Sequence, residues 1–257
     1  MPEAGMIRSA LVLAGSRGPR DPVADYAGVP QKALVRIAGR TMLAHVTQVL
    51  RLAGFDRIAV SAGAADVADE VRRLGTQLIA PGPGPSASTA AGFEALGAPL
   101  LVTTADHALL RPEWVSDFIA RVPATADVAV LLARRESVEA AAPGSKRTYL
   151  RFADGDWSGC NLFYLAHPRA SCVIALWQRI ERDRKRPWRI VRLLGIRPLF
   201  RYLRGTLTLA EAVARLGEIV GVEAAVVECP DGLAAVDVDK PADLDFVRDL
   251  GEDASGA

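Results

Sequence analysis

The sequence predicts an α/β protein: a three-layer α/β/α sandwich built on a mostly parallel, Rossmann-like sheet. Two observations carry this. Short apolar runs rich in β-branched residues alternate with longer stretches of helical periodicity, and a strand-helix-strand alternation calls for a parallel sheet covered on both faces. Helical stretches also stop at glycine, the residue best suited to the left-handed position after a helix end.

In chain order, "SALVLAG" (9–15), "RIAVSAG" (57–63), "QLIAPG" (77–82), "PLLVTTAD" (99–106), "VAVLLARR" (128–135) and "EAAVVECP" (223–230) read as strands. They are continuous apolar runs, as expected of strands buried on both faces. "TMLAHVTQVLRLAG" places Met42, Val46, Val49, Leu50 and Ala53 on one helical face and stops at Gly54, and "AADVADEVRRLG" does the same with Gly75. The segment 137–157 has no clear period and reads as an insertion over one side of a site. One domain spans 1–250, with a basic helical segment at 178–220, and 251–257 reads as a disordered tail.

Composition narrows the class. Half of the 257 residues are hydrophobic and 24 % are charged, the balance of a globular domain. Cys160, Cys172 and Cys229 are far apart, with no CxxC pair and no histidine at ligand spacing, which favours a reducing compartment. No window reaches the roughly 18 apolar residues of a membrane span, and the start lacks a secretory pattern. A cytoplasmic location is expected, with peripheral attachment to the inner membrane face as an option. The net charge of +1 hides an asymmetry: Gln178 to Gly205 holds ten Lys or Arg against two acids, so this stretch carries +8 and the remainder −7. Three readings of it stand: a solvated helical face packed on the core, contact with an anionic membrane surface, or contact with nucleic acid, which the rest of the sequence does not lead us to expect.

The first apolar run breaks into "GSRGPRDPVADYAGVPQ" before resuming at Lys32. Glycines let backbone N–H groups approach a polyphosphate, and Arg17, Arg20 and Lys32 offer charge to neutralise it. The loop is neither a Walker A sequence nor GxGxxG, and an ordinary strand-to-helix connection has the same appearance.

Together, "LVLAG" and "PQKALVRIAGRTML" resemble the signature of MobA-like NTP transferases, the nucleotidyltransferases of glycosyltransferase-A-like fold that include molybdenum-cofactor guanylyltransferase and sugar- or polyol-phosphate cytidylyltransferases. The stretch Lys32 to Leu43 carries the resemblance most closely. It departs in loop length, since Gly15 to Lys32 is several residues longer than the family's usual spacing. The resemblance implies that Leu13, Ala14, Gly15, Ser16 and Arg17 (or Arg20 in its place) hold a triphosphate, with Lys32 at the reacting phosphates. "PGPGPSASTAAGFEAL" resembles the segment that lines the nucleotide, which implicates Gly84, Ser86, Ser88 and Thr89; the hydroxyl residues equally suit a helix N-cap.

"PLLVTTADHALL" puts Asp106 at a strand end, where the family carries a magnesium-binding aspartate, although Ala108 stands where a proline is usual. Mg2+ prefers one or two carboxylates plus phosphate oxygens and water. "AAVDVDKPADLDFV" resembles the family's late acidic element and offers Asp237 or Asp239 as the second ligand; Asp243 and Asp245 read as helix first-turn acids. "GCNLFYL" resembles the strand bordering the acceptor pocket, implicating Asn161, which would alternatively satisfy backbone groups. Lys146, Arg147 and Tyr149 offer cations and a hydroxyl to an anionic acceptor.

The expected activity is Mg2+-dependent transfer of NMP from an NTP, CTP or GTP, to a phosphorylated sugar, polyol or lipid headgroup, with Arg17, Lys32 and Asp106 as catalytic residues. The alternatives are a glycosyltransferase using a nucleotide sugar, for which "DVD" at 237–239 is the candidate DxD, and a non-catalytic membrane-surface or nucleotide-binding protein. The base, the acceptor identity and the oligomeric state stay open.

Overall fold

Ser9–Leu13 forms strand β1, with Ala10, Leu11 and Val12 fully buried, as a central strand covered on both faces must be. The computed structural model describes residues 8–15, 18, 20–183 and 195–253. Ser16 and Arg17 of the first loop, and the stretch 184–194 within the basic segment, lie outside the described residues.

After β1 the chain forms helix α1 (Pro22–Ala27), a 3-10 turn at Lys32–Leu34 and a small hairpin of β2 (Arg36–Ile37) with β3 (Arg40–Thr41). It then alternates through α2 (Met42–Leu52), β4 (Arg57–Ser61), α3 (Ala65–Arg73), β5 (Gln77–Ile79), α4 (Pro85–Leu96), β6 (Leu100–Thr104), α5 (Pro112–Arg121) and β7 (Val128–Arg134). The remainder comprises α6 (Arg135–Ala141), β8 (Leu150–Phe152), β9 (Gly155–Leu165), α7 (Ala170–Asp183), α8 (Ile196–Leu203), α9 (Leu209–Val220), β10 (Ala224–Cys229), a 3-10 turn at Gly232–Ala235 and α10 (Pro241–Asp253).

Seven strands run in the order β10-β7-β9-β6-β1-β4-β5, with β8 paired to β9 off this path. Within this sheet the pairings are parallel except those of β9 with β6, β7 and β8. The sheet is therefore mostly parallel and flanked by helices, as expected. The chain runs from β1 outward to β4 and β5, then crosses back to lay β6 on the other side of β1. In doubly wound sheets the crevice at such a reversal, outside the carboxyl ends of the strands, is where ligands bind.

The face of α2 read from its periodicity is the one that packs: Met42, Val46, Val49, Leu50 and Ala53 are all buried. Thr41 caps this helix by accepting from the backbone N–H of Ala44 at 3.0 Å. Two stretches that read as irregular have structure. The long first loop contains α1, because Asp21 accepts from the N–H groups of Val23 and Ala24 and Pro22 occupies the first turn. The 137–157 stretch contains most of α6 and the β8–β9 hairpin; α6 buries only Val138, too little for a periodic signal. The terminal helix α10 extends to Asp253, three residues into the stretch read as tail.

The turn at Gly232 touches α6 closely enough that an added Cβ would overlap the Ser137 carbonyl oxygen and Val138 Cα, both backbone atoms. Gly232→Ala is expected to cost about 2 kcal/mol, the usual scale of overpacking. The melting temperature should then fall by about 4–8 °C at this chain length, a shift readable by circular dichroism.

Candidate active site

The site assembles where β1 and β6 end. Leu13 and Thr104 are partners in the parallel ladder, so the loops that follow them emerge side by side. The backbone continues this pairing: Ala105 N–H donates to Leu13 O at 2.9 Å, and Val238 N–H donates to Asp106 O at 3.1 Å. The second bond draws the Val236–Asp239 stretch across to Asp106. One oxygen each from Asp106, Asp237 and Asp239 can be chosen so that all lie within 4.8 Å of one another.

Lys32 reaches into this cluster from the 3-10 turn. Its Nζ donates to Asp106 Oδ2 at 2.6 Å and to Asp239 Oδ1 at 3.0 Å. Burial works to lower the lysine pKa, but the two carboxylates outweigh it and the pKa lies above its usual value, so Lys32 is an ammonium. Burial likewise favours the neutral form of Asp106, yet the adjacent Lys32 charge holds its pKa below the ordinary carboxylate value. Asp237 moves the other way: burial and the neighbouring charges of Asp239 and Asp106 raise it against the opposing Arg147.

Asp237 is gripped from behind. Arg147 donates to its Oδ1 and to its backbone carbonyl, the latter at 2.8 Å, while Asn161 Nδ2 donates to Oδ2 at 3.0 Å. Asn161 can do so because β9 is irregular here. Its pairing with β7 shifts register between Val130 and Leu132, and Asn161 has φ +51°, a left-handed conformation that asparagine tolerates better than most residues. Bulges next to active sites commonly re-aim one side chain in this way.

The second nitrogen of Arg147 meets Asp243 at 2.8 Å. Asp243 in turn accepts from the backbone N–H groups of Asp239 and Lys240, at 3.0 and 2.9 Å. It thus fixes the backbone that carries the cluster. The sequence signal for this was an acid three residues after Lys240 at the start of α10, an arrangement that lets a side chain reach back to the helix entrance. The reading of Asp243 as a simple first-turn acid missed the arginine it braces.

Leu13, Ala14, Gly15, Lys32 and Asp106 line one pocket together with Asp21, Gln31, Ala33 and Ala105. Arg20 is exposed. Arg147 was expected to face an acceptor, but its side chain is only 6 % exposed and is spent on the two aspartates. Lys146 is exposed, and Tyr149 lies against the Arg135 guanidinium, 5.2 Å from its ring centre.

Gly84 is the N-cap of α4 and Pro85 occupies its first turn, so Ser86, Ser88 and Thr89 lie inside the helix and do not cap it. Ser88 Oγ instead accepts from Gly82 N–H at 3.0 Å, folding the glycine-rich loop onto the helix. Ser86 bonds to Glu181 of α7 through both its hydroxyl and its N–H. Thr89 is buried, with its hydroxyl unpartnered among the described residues. His107, given no role by the sequence, is buried, and its ring stacks on Trp114 with centroids 6.2 Å apart. Burial pushes its pKa down to about 4, so it is neutral near pH 7.

The cluster suits a hard divalent cation. Its donors are all carboxylate oxygens, and Asp106 Oδ1 is buried without a hydrogen-bond partner among the described residues. Lys32 occupies the position of countercharge between Asp106 and Asp239.

Residues 10–192 match the family model described as MobA-like NTP transferase domain. A hypothetical transferase from Thermus thermophilus superposes with a TM-score of 0.79 and 32 % identity, covering 93 % of this chain and all of that one. The 4-diphosphocytidyl-2C-methyl-D-erythritol synthase of Anaerococcus prevotii shares the fold, with a TM-score of 0.58 and 12 % identity over 96 % of each chain. The bifunctional protein GlmU of Azorhizobium caulinodans is 38 % identical over 134 residues, which is 47 % of this chain and 28 % of that protein. The match thus spans just over a quarter of that relative's length.

Arg147→Leu should leave two partly buried carboxylates without their shared cation, and breaking a buried pair in this way costs about 3–5 kcal/mol. Arg147→Lys should recover part of that loss, because an ammonium keeps the charge but lacks the planar fork that reaches both aspartates. Chemical denaturation of the three proteins is the check, with the order wild type, Lys, Leu expected.

Proposed function

The chain belongs to the MobA-like NTP transferase family and is a nucleotidyltransferase, and on that premise we propose that it moves NMP from CTP or GTP to a phosphorylated small molecule, releasing pyrophosphate, with Mg2+ at the acidic cluster. The observation that carries this reading is the convergence of Lys32, Asp106 and Asp239 at the crevice beside β1. The cytidylyl product named for the structurally similar synthase favours CTP as the first nucleotide to test.

Asp106, Asp237 and Asp239 would hold the ion. When bound, magnesium supplies charge neutralisation to the phosphate under attack. The attacking nucleophile is itself a phosphate oxygen and the leaving group is pyrophosphate, so no protein nucleophile is needed; positioning and electrostatics carry the rate. The backbone of Leu13, Ala14 and Gly15 lies along the pocket wall where the triphosphate would be held. Lys32 is the more accessible cation of the site, its side chain 21 % exposed. Its ammonium spans Asp106 and Asp239, and a triphosphate bound beside it would offer oxygens in their place, with the carboxylates then free to hold a divalent cation that would supply the countercharge. Asn161 and Arg147 keep Asp237 facing the cluster throughout. Lys146, exposed on the 137–157 segment, is available to an anionic acceptor.

A pyrophosphate-release assay with each of the four NTPs, Mg2+ and a panel of sugar and polyol phosphates tests the reading. One NTP should support turnover and should also raise the melting temperature most, since a ligand that binds only the folded state stabilises it. Asp106→Asn should keep the fold and lower turnover by about a hundredfold or more. Lys32→Ala should weaken NTP binding and also lower the melting temperature, since it leaves Asp106 and Asp239 without their countercharge; unchanged NTP affinity would remove Lys32 from the phosphate site. Because Asp237–Asp239 is a DxD element that does reach the cluster, nucleotide sugars belong in the same panel. Sugar transfer without pyrophosphate release would replace nucleotidyl transfer by a glycosyltransferase reaction.

A further inference from the structure

Helix α8 presents apolar side chains that nothing described covers. Ile196 is 68 % exposed, Phe200 53 % and Leu203 70 %, and no residue of the helix is buried. Spaced four and then three residues apart, these three lie on one helical face. Arg197, Arg201 and Arg204 each follow one of them by a single position and so form a basic stripe alongside. Arg201 is engaged with Glu211 at 2.8 Å and with the Thr206 carbonyl at 2.7 Å. The side chains of Arg197 and Arg204 are exposed and have no hydrogen bond or ion pair among the described residues.

The opposite side of α8 is tied down. Tyr202 meets Phe152 of β8 edge-on, with centroids 5.9 Å apart, and Leu207, just beyond the helix, accepts from Ala153 N–H at 2.8 Å. The protein body thus holds the helix with its apolar stripe outward. Leu150, two residues from Phe152 on the same strand face, is also 49 % exposed. Through β8 the helix joins the hairpin whose second strand, β9, carries Asn161 to the acidic cluster.

We infer that α8 docks the protein on an anionic phospholipid surface, with Ile196, Phe200 and Leu203 entering the headgroup boundary while Arg197 and Arg204 meet lipid phosphates. This pairing of an apolar stripe with an adjacent cationic stripe is the pattern of helices that lie in a membrane interface. No described helix is long and apolar enough to cross a membrane, so the contact is peripheral. Charge complementarity selects the occupant: the helix closes a stretch of +8 in a chain whose remainder carries −7. A second copy is a poorer fit, since an isologous contact brings more of the same positive charge and no acid from α8 to receive Arg197 and Arg204. A nucleic acid would use the arginines but leave Ile196 and Leu203, which offer no ring for base stacking. Lys185, Arg186, Arg189 and Arg192 of the same basic stretch lie outside the described residues.

The full chain should co-sediment with phosphatidylcholine vesicles containing about 30 % phosphatidylglycerol far better than with pure phosphatidylcholine. Binding should fall as salt rises from about 50 to about 500 mM. Arg197→Gln with Arg204→Gln, and separately Phe200→Ser with Leu203→Ser, should each lower the vesicle partition about tenfold. Melting temperature and turnover on a soluble acceptor should be unchanged in both double variants. Arg72→Gln, an exposed arginine on α3, should bind as wild type does. Four results would overturn the inference: no binding to anionic vesicles at low salt, equal binding to both vesicle types, an α8-dependent dimer in light scattering, or α8-dependent retention of single-stranded RNA in place of vesicles.

Discussion

Three carboxylates packed within 4.8 Å are a repulsive arrangement unless cations balance them, and this balance organises the site. Two cations supply it by different means. Arg147 is nearly buried and forks between Asp237 and Asp243, which makes it a fixed strut. Lys32 joins Asp106 to Asp239 at the pocket wall and is more accessible, with a flexible stem that can change partners. The permanent charge lies behind the cluster and the adjustable charge at its mouth. Under the proposed function, this division would let the internal cation yield to substrate and metal while the strut keeps the cluster in place.

The strand order gives this electrostatic arrangement its position. Crossing back from β5 to β6 leaves the crevice beside β1 open at the sheet's carboxyl edge, and the pocket loop and Asp106 both open into it. The Val238–Asp106 backbone bond then adds the late acidic segment, as if lengthening the sheet by one more rung. Burial supplies the remaining condition. A partly dehydrated cluster strengthens each charge contact and raises the cost of leaving one unmatched.

Most of the sheet was legible in the sequence, because strands buried on both faces are written as uninterrupted apolar runs, and the helical face of α2 could be named residue by residue. Lys32, Asp106, Asp237 and Asp239 were also legible as candidates, since each stands next to a strong apolar pattern. What could not be read was direction. Arg147 is one of several basic residues in an irregular stretch, and nothing local says that it turns inward to two aspartates some 90 residues further on. Asn161 depends on a register shift between β7 and β9 that no single-strand pattern encodes. The serines of "PSAS" have the chemistry of caps, but Pro85 claims the first turn and places them inside the helix. The extra length of the first loop was visible, whereas its use as α1 depends on packing against α10, where the Tyr26 hydroxyl meets Asp245. Long-range partners decide these points, and they leave no periodicity behind.

The backbone bond from Val238 to Asp106 has a consequence for biosynthesis. Chains emerge from the ribosome in order, and Lys32 and Asp106 are exposed to the cell long before Asp237, Asp239 and Asp243 have been added. A nascent chain lacking that late segment can pair Lys32 with Asp106 but has neither the other carboxylates nor the Arg147 strut's partners. Asp106 is then balanced by the chain's own lysine. The three-carboxylate cluster, and with it the centre proposed above, is complete only once the last acidic loop has docked.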